Sequence, residues 1–174
     1  MKKFAFLVVA ILSLAIVGCG PSTEQKKMVA DLTSEVTSMV NDATSSLGKM
    51  DDVAGQVASA IAAGDSLKMK FPKDSASIGS ALTQLKSAKD RLMSVKDNVS
   101  AWLKNFKTPD LANMKVDEAV SNLKKNKDEL TTAASEIPGA LDAATTALDG
   151  YKNIASGLMS KVTAKKKRVF QQRK

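Results

Sequence analysis

The sequence contains no histidine among its 174 residues and only one cysteine. Histidine is the commonest general base and the commonest protein ligand of transition metals, so its absence removes the usual centre of both kinds of site. A single cysteine forms no intramolecular disulfide and no zinc-binding cluster. The sequence also has no glycine-rich phosphate loop, no Gly-x-Ser-x-Gly motif and no calcium-loop spacing. We therefore predict that the protein is not an enzyme and holds no metal or cofactor.

Aromatic residues, proline and glycine are also scarce. Aromatic residues make up 4% of the chain, which has four prolines and nine glycines. Strands favour aromatic and β-branched residues, and the turns between many strands need glycine and proline. Alanine, serine, lysine, leucine and valine dominate instead, which is typical of helices packed through small side chains. The composition predicts an all-α protein.

The first twenty residues have the features of an export signal. Two lysines follow Met1, an uncharged run extends from Phe4 to Val17, and a small residue, Gly18, comes next. The run of 14 residues is shorter than the roughly 20 helical residues that cross a bilayer core. A positive start, a short apolar core and a small residue before a cleavage point are typical of a secretory signal peptide. We predict that residues 1–18 are removed.

The stretch Ile16–Cys19 resembles the lipobox of bacterial lipoproteins. In that class the cysteine thiol receives a diacylglyceryl group, a peptidase cuts before the cysteine, and the new amine is acylated. The resemblance implies that Cys19 is the lipidated residue and that residues 19–22 attach the chain to a membrane. Gly20 is not the aspartate that commonly retains such proteins at the inner membrane, which implies the outer membrane facing the periplasm, or the cell surface in a Gram-positive host. A plain secretory signal ending in cysteine and an uncut anchor are the alternatives.

The net charge of +8 comes from the two ends of the chain. Without Lys2 and Lys3, 24 basic residues face 18 acidic ones, and seven of the 24 fall within residues 161–174. Residues 19–160 therefore carry 17 basic and 18 acidic groups. A nucleic-acid-binding protein normally spreads positive charge over a folded face. A neutral body, a basic tail and an export signal exclude nucleic acid as the expected partner.

A first helix is predicted to begin at Ser22, which can cap the first turn while Gln25 reaches back to it. Apolar residues then recur seven apart. The rows are Val36, Ala43, Met50, Val57; Leu32, Met39, Val53, Ala60; and Val40, Leu47, Ala54, Ile61. So broad a stripe is typical of a bundle helix with two neighbours. We expect the helix to end at Gly64 and Asp65.

A second helix is predicted to begin near Asp74 or Ser75 and to end before Pro109, because proline cannot continue the helical hydrogen bonds. Its main row contains Ile78, Leu85, Leu92, Val99 and Phe106, flanked by Ala81, Ala88, Val95 and Trp102. This is the clearest amphipathic segment of the sequence. Trp102 lies on the stripe and is expected in the core.

A third helix is predicted to begin between Asp110 and Lys115. Its main row is Val116, Leu123, Leu130, Ile137, Ala144, Tyr151 and Leu158. The row passes through Pro138 without a slip, so either one helix is kinked there or a tight turn produces a fourth helix. We predict an antiparallel bundle of three long amphipathic helices over residues 23–164, the third kinked at Pro138, with a four-helix bundle as the alternative. The pattern is lost after Val162, and we expect a frayed end.

Residues 165–174 form a basic tail that the bundle pattern does not explain. Its cations are Lys165, Lys166, Lys167, Arg168, Arg173 and Lys174. A lipid-anchored helical chain ending in Arg-Lys resembles the murein (Braun-type) lipoprotein, whose terminal lysine is joined to peptidoglycan. That family is a short single helix forming a trimer, whereas this chain is predicted to fold back on itself. Alternatively, the tail binds anionic lipid or lipopolysaccharide, to which each cation near the surface contributes about 1 kcal/mol, or it only keeps the protein soluble.

Together these features predict a lipid-anchored protein of the cell envelope with a structural or adaptor role. Cys19 would hold it to a membrane, and its tail would contact peptidoglycan or another anionic component. The alternative is a lipoprotein that binds a hydrophobic ligand or a protein partner between its helices. A homo-oligomer is compatible with both.

Overall fold

The computed structural model describes residues 22–106 and 114–171, with side chains up to Ala164. The elements in these ranges are α1 (Thr23–Lys70), a 3₁₀ turn (Pro72–Asp74), α2 (Ser75–Asn105), α3 (Val116–Ala134) and α4 (Ile137–Gln171). No strand occurs among the described residues. The predicted all-α fold is confirmed.

The third helix of the prediction corresponds to α3 and α4 together. Only Ser135 and Glu136 separate them, and the helical path bends by 15°. The N–H of Ala140 donates to the carbonyl of Glu136 at 3.0 Å, so helical bonding resumes at once. Pro138 lies in the first turn of α4, where its missing N–H removes no necessary helical bond. Across the described ranges, three helices with the third bent near Pro138 are confirmed, and the four-helix alternative is wrong.

The helices form two compact units. The first contains the described residues up to Ser45 together with Val99–Ser135. The second contains Ser46–Asn98 together with the described residues from Glu136 onward. Both α1 and α2 contribute to each unit, so neither unit corresponds to a separate stretch of sequence.

The core of the first unit joins α1 to α3. Val29 and Val36 of α1 pack with Ala119 and Leu123 of α3. Around them lie the partly buried side chains of Leu32, Val40, Phe106, Met114, Val116 and Val120. Buried Thr33 donates its hydroxyl to the carbonyl of Val29 at 2.7 Å, which satisfies its hydrogen-bonding capacity without a partner on another helix.

The core of the second unit is built from all three of its helices. Side chains with no exposed surface come from α1 (Met50, Val57), α2 (Ile78, Leu85, Leu92) and α4 (Ala140, Ala144). An ion pair joins Asp51, early in this part of α1, to Lys96, late in α2. Gly64, later in α1, lies against Leu82, earlier in α2. The two helices are therefore antiparallel, as predicted.

The predicted heptad rows supply most of the core. The buried members of the main rows are Val36, Ala43, Met50, Val57, Ile78, Leu85, Leu92, Val99, Leu123, Leu130, Ile137, Ala144, Tyr151 and Leu158, and Ala54, Ala81, Ala88 and Val95 of the flanking rows are buried as well. The wider row of Leu32, Met39, Val53 and Ala60 is only half-buried. A helix at the periphery of a three-helix unit buries one stripe fully and its flanks partly, because it has neighbours on one side only.

Gly64 does not end α1, which continues to Lys70. A Cβ on Gly64 would collide with the side chain of Leu82 and would lie 3.1 Å from Cε2 of Tyr151. The glycine therefore permits close helix packing instead of stopping the helix. The stop comes at Phe71, which has φ −127° and ψ 68°, because the residue before a proline is pushed out of the helical region.

The expected frayed end after Val162 is also wrong for the backbone. Helix α4 continues through residues 163–171 and ends at Gln171. The apolar row stops near Leu158 because the packing partners stop there, whereas the local helix propensity of alanine and lysine persists.

Candidate envelope-contact sites

The start of α1 has the predicted capping box. The backbone N–H of Ser22 donates to Oε1 of Gln25 at 2.9 Å, and the N–H of Gln25 donates to Oγ of Ser22 at 3.2 Å. Each side chain thus satisfies a backbone donor that the helix leaves free. Only Gly20, Pro21 and Ser22 separate Cys19 from α1 in the sequence. Cys19 itself lies outside the described residues.

The last described turns of α4 pass the corner between α1 and α2. Nζ of Lys161 lies 3.5 Å from Oδ1 of Asp74, the residue that ends the 3₁₀ turn. Residues 161–164 are all exposed. Four consecutive helical residues point around the whole circumference, so α4 has left the packed part of the second unit at this point.

The predicted tail contacts divide into two groups. Lys165, Lys166, Lys167 and Arg168 belong to α4, and their side chains lie outside what the structure describes. Arg173 and Lys174 lie outside the described residues altogether. The prediction that these six cations contact an anionic surface stays a prediction.

Three further exposed lysines lie where α1 meets α2. Lys68 and Lys70 belong to the last turn of α1, and Lys73 belongs to the 3₁₀ turn. The side chain of Lys68 crosses to α2, since a Cβ on Gly79 would lie 3.6 Å from its Nζ. These lysines were not among the site residues predicted from the sequence. The signal was the alternation of basic and apolar residues in Lys68-Met69-Lys70-Phe71, but periodicity alone could not place it beside Lys161.

Three pairs of adjacent carboxylates, Asp51-Asp52, Asp117-Glu118 and Asp128-Glu129, lie on exposed helix surfaces. Asp51 pairs with Lys96. Glu129 accepts a hydrogen bond from Nε1 of Trp102 at 3.4 Å and forms an ion pair with Nζ of Lys125 at 3.8 Å. Among the described residues, no group of three or more acidic, cysteine or histidine side chains could hold a metal ion.

The two aromatic residues expected in the core differ in burial. Tyr151 is buried beside Gly64, and this burial raises the pKa of its phenol above the ordinary value of 10.0. Trp102 is half-buried and stacks on Phe106 with ring centroids 5.0 Å apart. Its partial exposure lets the indole N–H reach Glu129 at the rim, which is a common arrangement for tryptophan.

Within the described ranges, no helix combines the length and apolarity that a bilayer crossing requires. Comparison of the chain with protein-family models, curated proteins and solved structures finds no match.

Proposed function

We propose that this chain is a lipid-anchored protein of the bacterial envelope with a structural or adaptor role. Lipid on Cys19 holds it to a membrane, and the basic tail contacts peptidoglycan or another anionic component. The observation that carries this proposal is the position of the single cysteine, at the end of a lipobox-like stretch and only three residues before a capped helix.

The short connection to α1 supports a structural role. Three residues span at most about 10 Å when extended, so an anchor on Cys19 keeps the first turn of α1 close to the lipid headgroups. A protein that carries a ligand between membranes needs a longer tether. A short one suits a protein that holds a fixed position.

The course of α4 beyond the second core supports a contact through the tail. Lys161 lies beside Asp74, at the corner between α1 and α2, and α4 continues past it to Gln171. Since residues 161–164 are all exposed, residues 165–171 extend beyond the packed part of the second unit, which suits a contact with another envelope component.

Sedimentation with purified peptidoglycan sacculi tests the tail contact. We expect the full-length mature protein to sediment with sacculi at low salt and to be released as salt screens the six tail cations. Deletion of residues 165–174 should abolish most of this binding. The matched control replaces three exposed lysines elsewhere, Lys49, Lys86 and Lys104, with glutamine. Equal sedimentation of the truncated and intact chains would refute the wall contact.

Boiling the sacculi in detergent distinguishes a covalent link from an electrostatic one. A link through the terminal amine would leave the wild-type chain on boiled sacculi and would be lost in Lys174→Arg, because the guanidinium is not a comparable nucleophile. A purely electrostatic contact is released from both proteins by boiling.

A further inference from the structure

Two apolar side chains are exposed near the corner between α1 and α2. Met69, in the last turn of α1, is 79% exposed, and Val162 of α4 is 38% exposed. Lys161, next to Val162 in sequence, touches the corner at Asp74. Together with the corner lysines they form what we call the corner surface: Lys68, Met69, Lys70, Lys73, Lys161 and Val162.

The corner surface has a basic balance. Its cations are Lys68, Lys70, Lys73 and Lys161, and the acidic residues beside them in sequence are Asp65 and Asp74. Asp74 faces Lys161 and Asp65 lies one turn of α1 before Lys68, so four basic residues stand against two acidic ones. All four cations are exposed and belong to the described part of the chain.

We propose that the corner surface binds a bilayer with anionic phospholipid headgroups. The lysines would face the headgroup phosphates, while Met69 and Val162 would enter the interfacial layer. This inference goes beyond the proposed function, because it assigns a second membrane contact that depends neither on lipid at Cys19 nor on the tail.

The combination of chemistries favours a bilayer over other partners. An anionic wall polymer offers charge to the lysines but no apolar layer for Met69 and Val162. A bilayer surface offers both, and basic surfaces that carry exposed apolar side chains bind there through electrostatic attraction and buried apolar area together. A second copy of the same surface would bring lysines against lysines, and this repulsion disfavours a symmetric dimer through the corner.

Vesicle binding by the chain of residues 22–164 tests the corner without the anchor or the tail. This chain contains every buried residue of the two cores. Its folding is checked by circular dichroism and by a cooperative urea transition. We expect binding to vesicles containing phosphatidylglycerol, weakening with salt, and little binding to phosphatidylcholine vesicles.

Two sets of variants separate the charge from the apolar contact. Replacing Lys68, Lys70 and Lys73 with glutamine should weaken binding to the anionic vesicles about a hundredfold, since each cation contributes about one factor of five. Met69→Ser should weaken it about tenfold and should still do so at high salt. The control for the lysine variant replaces Lys49, Lys86 and Lys104 with glutamine. The control for the methionine variant is Met28→Ser, because the side chain of Met28 is 47% exposed and belongs to the first unit.

Four results would overturn the proposal. The first is wild-type affinity in the lysine variant at the corner, and the second is an equal loss in its control, which would show dependence on net charge alone. The third is equal binding to the two vesicle types. Binding of residues 22–164 to sacculi but not to vesicles would also reject the bilayer and leave a wall contact. Because the chain of residues 22–164 lacks the tail, a negative result in the vesicle experiment would not change the result expected from the tail deletion.

Discussion

Gly64 of α1 lies directly against the ring of Tyr151 in α4, so that a β-carbon at residue 64 would lie 3.1 Å from Cε2 of the tyrosine. The same carbon would collide with the buried side chain of Leu82 in α2. One hydrogen atom in place of a side chain thus lets the three helices of the second unit meet at one point.

Gly64→Ala should destabilise the protein although alanine is the better helix former. The gain in helix propensity is about 1 kcal/mol, whereas forcing a methyl group into a filled core costs about 1–3 kcal/mol. We expect a net loss of about 1 kcal/mol in the free energy of unfolding, measured by urea denaturation. Gly55→Ala is the control, because a Cβ at Gly55 meets nothing within 4 Å. It should raise stability by up to about 1 kcal/mol, and a gain at both positions would contradict the packing role of Gly64.

Leu92→Ala should be among the most damaging truncations. Leu92 has no exposed surface and belongs to the row that packs α2 into the second unit. Removing its branched end should cost about 2–5 kcal/mol in unfolding free energy, and Leu92→Asp should prevent folding. Lys86→Ala on the exposed face of the same helix should change stability by less than about 0.5 kcal/mol. Similar denaturation midpoints for the two alanine variants would exclude the assigned core.

Tyr151 should make stability fall at high pH. Burial raises the pKa of its phenol in the folded state, so the unfolded chain releases this proton at lower pH than the folded protein. The stabilising effect is complete below the unfolded pKa near 10 and is lost as pH rises through that value toward the folded pKa. We expect the unfolding free energy of wild type to drop more steeply than that of Tyr151→Phe above pH 10. Parallel curves would show that the phenol keeps its ordinary pKa.

Cys19→Ser should abolish lipid attachment, because a hydroxyl cannot replace the thiol as the acyl acceptor. We expect the variant to retain its leader and to carry no acyl mass, as read by mass spectrometry of the purified chain. A serine variant that is cleaved and enters the detergent phase like wild type would rule out Cys19 as the lipidated residue.

Two spin-label distances should confirm the course of the helices. Labels at Lys49 and Met69 lie 20 residues apart in the part of α1 that belongs to the second unit, which predicts about 30 Å for an unbroken helix. Labels at Lys73 and Lys161 should lie within about 20 Å, since Lys161 pairs with the neighbouring Asp74. A turn at Pro138 would instead carry residue 161 back along the bundle, and a long distance from Lys73 would then be measured.

The helices and most of their buried positions were predictable from the spacing of apolar residues. Leu85 and Leu92 of α2 and Leu123 of α3 belong to rows of apolar residues with seven-residue spacing, and all three are buried. Such a row lies along one face of a helix, so it identifies the face that packs into the core. The capping box was equally local, because Ser22 and Gln25 satisfy each other's backbone within a single turn. The export signal, the lipobox-like stretch and the basic tail are likewise properties of sequence alone, and their functions stay predictions.

Only the tertiary structure decided what Gly64 does and which cations gather at the corner. A glycine near the end of a predicted helix has the same local preference whether it stops the helix or admits a neighbour, and the contact with Tyr151 joins residues 87 positions apart. The approach of Lys161 to Asp74 spans the same separation. Sequence periodicity determines which face of a helix is buried, because burial follows the local 3.6-residue repeat. The longitudinal register between helices depends on how side chains from distant parts of the chain fit together, and that fit exists only once they are packed.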